Sequence, residues 1–228
     1  FCRAVKAAKP DAAIIGEVWQ SAPFWLDGRM FDSTMNYDMM KHCKRFFARG
    51  DIDAAAFDAR VSDMRMRYRK NLLYGQLNLL DSHDVPRFLS ICGEDARRYR
   101  LAVLFLLTFP GAPSVFYGDE QGITGMQEED YRAPMRFDET ELTAFFRAVI
   151  ALRNANTCLR TGEFRTILAE KGLYVYERYD EKTRIRIALN AQNTIEEGID
   201  ALLTGETLIC DGFDGKMLTP FGYCVVRT

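Results

Sequence analysis

Four short apolar runs, each closed by a polar cluster, constrain the fold of this 228-residue chain more than any other feature. Ala12 to Val18, Met30 to Ser33, Gly75 to Leu80 and Pro113 to Tyr117 read as buried strands. They lead into Glu17 to Gln20, Asn36 to Asp38, Asp81 to Arg87 and Gly118 to Glu120. Residue spacing predicts helices over Phe1 to Lys9, Tyr37 to Arg49, Ala54 to Lys70, Ala96 to Phe109 and Thr140 to Asn154. The last is expected to start from a capping box of Asp138 with Glu141. Strands alternating with helices are the mark of βα units around a parallel sheet. In such a sheet the C-terminal strand ends gather on one rim, where reactive side chains collect.

After Asn156 the texture changes to short alternating strands: Glu163 to Leu168, Leu173 to Tyr179, Arg184 to Leu189, Glu206 to Cys210 and Tyr223 to Arg227. Turn signals such as Asp180-Glu181-Lys182 and Asp214-Gly215 separate them. The expected division is an α/β unit over residues 1–156 and a small antiparallel β-sandwich over residues 157–228. Four βα units make half of an eight-stranded barrel, or else an open sheet. Phe1 is not an initiator methionine and reads as the middle of a helix, so further chain is expected before it. The sheet edges left by half a barrel carry unpaired backbone groups, which predicts self-association.

Composition narrows the partners. A formal net charge of -2, with 27% charged residues of both signs, offers no basic surface for nucleic acid or an anionic membrane. The longest apolar stretch, Leu101 to Phe109, falls far short of the roughly 20 residues that span a bilayer. Six cysteines lack CxxC pairing and metal-type histidine spacing, so reduced thiols are expected rather than a zinc site or disulfide framework. Unpaired cysteines point to a cytoplasmic compartment, and ligand spacing implies no metal or other cofactor.

Two strand-end carboxylates are the leading catalytic candidates, Glu17 in Ile-Gly-Glu-Val-Trp and Asp84 in Asp-Ser-His-Asp-Val-Pro-Arg. An acid at a strand mouth is expected to be partly desolvated, which favours its protonated form and suits a general acid. The competing account is a structural ion pair with a nearby arginine or lysine. Trp19 can stack or simply pack, and His83 can donate to a hydroxyl at the rim or serve as a cap.

The order Ile-Gly-Glu-Val-Trp, Phe31-Asp-Ser-Thr-Met-Asn-Tyr37 and Leu79-Leu-Asp-Ser-His-Asp-Val-Pro-Arg-Phe-Leu89 resembles the successive motifs of the α-amylase superfamily. The likeness is to its neopullulanase and cyclomaltodextrinase branch. It extends through Phe109-Pro-Gly-Ala-Pro-Ser-Val-Phe-Tyr-Gly-Asp-Glu-Gln-Gly122 and Tyr131-Arg-Ala-Pro-Met-Arg-Phe-Asp138. The resemblance implies the C-terminal half of a (β/α)8 TIM barrel followed by the β-sandwich. It makes Glu17 the acid/base and Asp84 a carboxylate that binds sugar hydroxyls and supports the transition state. His83 would bond the same sugar, Trp19 would line an acceptor subsite, and Arg132 with Glu128 would hold the nonreducing-side sugar. Glu128 stands where the branch usually has Asp, Phe137 where it has Trp, Ala133 where it has a basic residue or Gly, and Arg136 where Pro is frequent. Arg87 and the Asp119-Glu120 pair read as structural.

The implied reaction is retaining hydrolysis of α-1,4 glucosidic bonds, extending to α-1,6 bonds, in maltooligosaccharides, cyclodextrins or pullulan. Retention needs a second carboxylate as nucleophile. The family places it at the end of the strand before the one carrying Glu17, and this chain holds no matching segment. The chain alone is therefore expected to be inactive. Transglycosylation on the same residues and a noncatalytic binding or scaffold role are the alternatives.

Overall fold

A computed structural model describes all residues, 1–228. Helix α1 (Cys2–Ala8) leads to strand β1 (Ile15–Gly16), and β2 (Ser33–Asn36) runs straight into α2 (Tyr37–Cys43). Helix α2 continues as a wider π-type turn over Lys44–Arg49 and stops at Gly50, whose φ of 65° ends the helix without steric cost. Asp53 caps α3 (Ala54–Met66) by accepting from the Ala56 N–H. Then follow α4 (Lys70–Gly75), β3 (Leu77–Asn78), α5 (Phe88–Ile91), α6 (Ala96–Thr108), β4 (Ala112–Pro113), α7 (Glu128–Tyr131) and α8 (Glu141–Ala155).

The four strands pair in parallel in the order β1-β2-β3-β4, as the alternating pattern predicts. Their ladders are shorter than the apolar runs. Ile15 opposes Ser33, Met35 opposes Leu77, and Leu77 opposes Ala112. The second run also shifts, because pairing starts at Ser33 and extends to Asn36 rather than covering Met30 to Ser33. Residues Lys70 to Gly75 form a separate helix where one long helix was expected to end and a strand to begin. Buried polar side chains reinforce the short ladders: Asn36 donates to Asn78 at 2.8 Å, and Thr34 donates to Gln76 at 2.8 Å. The cap of α8 is Thr140, in a reciprocal box with Thr143, and not Asp138. Thr140 wins because its hydroxyl sits one residue before the helix and accepts from the Thr143 N–H at 3.2 Å.

After α9 (Thr157–Thr161) come β5 (Glu163–Glu170), β6 (Leu173–Tyr179), β7 (Arg184–Asn190), β8 (Glu196–Glu197), β9 (Glu206–Phe213) and β10 (Met217–Arg227). They form one antiparallel sheet in the order β5-β6-β7-β10-β8, with β9 along the other side of β10. Strands β9 and β10 are longer than their apolar cores predict, and β8 was not foreseen.

One cluster of 38 buried residues runs from Met39 in α2 through α3, α6 and α8 to Tyr174, Ile187 and Val225 of the antiparallel sheet. The antiparallel sheet therefore closes on these helices, while Met35 of β2 packs on a separate small cluster of Tyr37, Met40, Leu79 and Val85. A smaller cluster, including Leu173, Val175, Ala188 and Val226, covers the other face of the antiparallel sheet. Two arginines weld the seam without any carboxylate. Arg178, fully buried, donates to the carbonyls of Leu159 at 2.9 Å, Gly162 at 3.0 Å and Thr108. Arg153 donates to Leu107 at 2.8 Å, Leu159 at 2.8 Å and Gly111 at 2.7 Å. Carbonyls at the end of α6 have no intrahelical partner, and two guanidinium forks supply it.

Candidate active site

The parallel strands deliver the predicted residues to one rim. Glu17 follows β1 directly, and the chain can pass there because Gly16 has no side chain. A Cβ on Gly16 would lie 2.3 Å from the Phe31 ring. His83 and Asp84 follow β3 by way of the loop that starts at Leu79. Oxygen and nitrogen atoms of Glu17, His83 and Asp84 all come within 4.8 Å of one another, and all three residues are exposed.

Glu17 makes no structural ion pair. Its side chain accepts from the Tyr37 hydroxyl at 3.1 Å, and the same hydroxyl lies 3.3 Å from Ser82 Oγ. Burial pushes the Tyr37 phenol up to about 12, despite the opposing Ser82 hydrogen bond, so this group is a donor at neutral pH. Tyr37 also stacks on Trp19, with ring centroids 4.1 Å apart and planes 13° apart. Lys41 fixes the Trp19 carbonyl at 2.7 Å. One face of the indole is thus occupied while Trp19 stays 41% exposed, which leaves ring surface for a planar or sugar-like partner.

Asp84 is held from the other side. Arg132, immediately after α7, donates to Asp84 Oδ1 at 2.8 Å and to the His83 carbonyl at 2.8 Å. Its remaining nitrogen meets Glu128 at 3.1 Å, and His83 Nε2 lies 3.3 Å from Asp84 Oδ1. All six residues singled out from the sequence, Glu17, Trp19, His83, Asp84, Glu128 and Arg132, therefore lie in one connected set. The expected desolvation of Glu17 is not supplied within this chain, where the carboxylate is open to solvent. Two carboxylates and an imidazole could ligate a divalent cation, but the Arg132 guanidinium already occupies Asp84 Oδ1. Phe137 is 81% exposed, with a φ of 62°, and its N–H donates to the Gln121 side chain at 3.1 Å.

Beneath the rim, Asp81, Arg87 and Asp119 are all buried. Arg87 donates to Asp119 at 3.2 Å and to the Tyr117 carbonyl at 2.6 Å, while Asp81 accepts from the Phe88 N–H at 2.6 Å. Burial pushes both carboxyls upward, and Asp81 adds to the rise at Asp119. Two neighbouring buried acids facing one arginine share a proton more easily than they hold two charges. This cluster ties the loop after β3 to the loop after β4 and so supports His83 and Asp84. Tyr37, Ser82 and Lys41 were missed as individual site residues. The strand-end rule that flagged Glu17 applies equally to the cluster Asn36 to Asp38 and would have found Tyr37.

The rim is an open shelf. A cavity of about 610 Å³ around Asp27 and one of about 390 Å³ around Phe146 are lined by other residues.

The chain is similar to known proteins in sequence and in fold. The family profile described as alpha amylase, catalytic domain, matches residues 1–195. Neopullulanase 2 of Thermoactinomyces vulgaris is 42% identical over 196 residues, covering 83% of this chain and 34% of that protein. A cyclomaltodextrinase of Geobacillus thermopakistaniensis is 39% identical over 240 residues, covering 98% of this chain and 41% of that protein. Among solved structures, a debranching enzyme from Nostoc punctiforme superposes with a TM-score of 0.87 at 30% identity, covering 98% of this chain and 53% of that one. The chain thus spans roughly a third to two fifths of the length of these curated relatives. It belongs to the alpha-amylase catalytic-domain family of glycoside hydrolases, in the company of neopullulanases and cyclomaltodextrinases.

Proposed function

We propose that the chain forms part of a retaining α-glucan hydrolase that cleaves α-1,4 and α-1,6 glucosidic bonds in maltooligosaccharides, cyclodextrins or pullulan. The observation that carries this reading is the meeting of Glu17, His83 and Asp84 within 4.8 Å at a parallel-sheet rim. Glu17, solvent-open and steadied by the Tyr37 hydroxyl, would protonate the glycosidic oxygen and later take a proton from water. Asp84 and His83 would bind hydroxyls of the sugar whose ring becomes oxocarbenium-like, Trp19 would line the acceptor side, and Arg132 with Glu128 would hold the nonreducing-side sugar. Residues 1–156 are read as the C-terminal half of the barrel and residues 157–228 as the β-sandwich. Core clusters on both faces of the antiparallel sheet support the second assignment.

Asp84 is a poor nucleophile in this setting, because Oδ1 is engaged by Arg132 at 2.8 Å. No Gly-x-Arg-x-Asp segment occurs in the chain to supply another. The 228-residue chain alone should therefore show no turnover of maltotriose, cyclodextrin or pullulan. Steady hydrolysis by this polypeptide, free of other hydrolases, would defeat the assignment of the nucleophile outside it. In the full-length protein, NMR of fresh product should show the α-anomer first; a first-formed β-anomer would rule out retention. Product analysis at high maltose concentration separates hydrolysis from transfer to sugar. Strands β1 and β4 each have one unpaired edge, so the isolated chain should self-associate; light scattering that finds only monomer at high concentration would refute this.

A further inference from the structure

We propose that Cys210 and Cys224 form a cross-strand dithiol that closes to a disulfide when it meets a low-molecular-weight disulfide such as oxidised glutathione. The inference is independent of the proposed glycosidase activity. It rests on the pairing of β9 with β10, where Cys210 and Cys224 are directly opposed partners between the pairs Tyr223 with Asp211 and Val225 with Ile209. Opposed residues of an antiparallel pair point to the same face, with Cα atoms about 4.5 to 5.5 Å apart. That separation falls inside the range a disulfide requires, about 4.4 to 6.8 Å. Both side chains pack in the smaller core cluster, and all six cysteines of the chain are free.

The two sulfurs differ in access. Cys224 is fully buried in the smaller core cluster, whereas Cys210 is half-buried at its margin, with Sγ 3.9 Å from the Phe213 carbonyl. Burial pushes the Cys224 thiol up to about 12, and the neighbouring Cys210 adds to the rise. Cys210 is therefore the sulfur that attacks first. Its thiolate displaces one thiolate from the glutathione disulfide and leaves a mixed disulfide on Cys210. Cys224 then gives up its proton and attacks the Cys210 sulfur, expelling the second glutathione thiolate. In sum, two protein thiols and one glutathione disulfide become one protein disulfide and two glutathione thiols.

The bridge has a mechanical consequence. Strand β9 lies at the sheet edge and pairs with β10 alone. Its Leu208 and Ile209 pack on the main core, while Cys210 and Phe213 pack on the smaller cluster. A covalent link to β10 holds this edge strand against both.

The test uses the native protein at neutral pH with excess oxidised glutathione. Free thiols are alkylated without reduction and the digest is mapped by mass spectrometry. The expected result is one peptide pair joined through Cys210 and Cys224, released by dithiothreitol, with buried Cys43, Cys92 and Cys158 alkylated only after denaturation. The oxidised protein should melt higher, by on the order of 5 °C, because the link shortens the free loop of the unfolded chain. Recovery of Cys210 and Cys224 as thiols, or of a stable glutathione adduct on Cys210 with no link, would overturn the proposal. The variant Cys210→Ser keeps the test open if Cys224→Ser fails to fold. It should leave Cys224 unmodified, and a glutathione adduct on Cys224 in that variant would overturn the order of attack.

Discussion

The two halves of the molecule handle charge in opposite ways. In the parallel half, Glu17, His83 and Asp84 stand exposed at the ends of strands whose ladders are two to four residues long. In the antiparallel half, strands of seven to eleven residues bury Glu177 completely beneath three arginines. Arg165 lies 2.7 Å and Arg184 3.3 Å from its carboxylate, and Arg186 completes the set with Nε at 2.9 Å. Arg178 is buried against carbonyls alone. Rim charges stay available because nothing in this chain closes over them. The other half uses charge to satisfy backbone and to fix one packing, at a desolvation cost that only dense hydrogen bonding offsets. The contrast teaches that short ladders suffice to bring these residues to one rim when a helix such as α2 links them to the core of a long-stranded layer.

The contrast can be broken most directly at its ends. Glu17→Gln in the full-length protein should lower kcat/KM by about 10²–10⁴-fold, the span of general acid–base catalysis, with little change in Tm. A large loss of Tm with activity retained would recast Glu17 as structural. Arg178→Met should do the reverse, costing about 3 kcal/mol of stability because several buried carbonyls lose their donors. Denaturant unfolding monitors it, and a cost within experimental error would show that the seam does not depend on this residue.

Tyr37→Phe sharpens the rim side. It removes the donor to Glu17 and Ser82 while keeping the ring on Trp19. The expectation is a fall of about tenfold in kcat, worth about 1.4 kcal/mol, with an altered pH profile. An unchanged profile would mean that Tyr37 does not steady the acid.

The smallest effect concerns Glu177 and acid. Burial raises its pKa, but hydrogen bonds from Arg186 and Arg165 and the charges of Arg186 and Arg184 outweigh this and hold it below the ordinary carboxylate value. A depressed folded-state pKa contributes stability that is complete above the unfolded value, near 4.5, and is lost as pH falls through the lower one. Glu177→Gln should therefore flatten the fall in Tm between neutral pH and about pH 3 relative to the parent. Parallel Tm curves for the two would remove Glu177 from the acid response.

Much of this was legible in the chain. The alternation of apolar runs and helical spacing foretold a parallel sheet, and the strand-end rule singled out Glu17 and Asp84, which the structure brings to one rim. Boundaries were less legible, because an apolar run marks what is buried while a ladder marks what is paired. Ala12 to Val18 is the longer, Ile15–Gly16 the shorter. Tyr37 hid because aromatic residues usually signal packing, and here one ring both packs and donates. Arg153 and Arg178 gave no sign of burial, since nothing local tells an arginine which carbonyls it will meet.

The sequence by itself determined most of the kinds of element, the face each buries and which polar residues stand at strand ends, since periodicity is a local property. Only the tertiary structure decided which of those residues meet. Arg132 reaches Asp84 across 48 positions, and Thr108 meets Tyr176 across 68. Such pairings follow from register and packing between elements, where a shift of one residue turns every strand side chain to the opposite face.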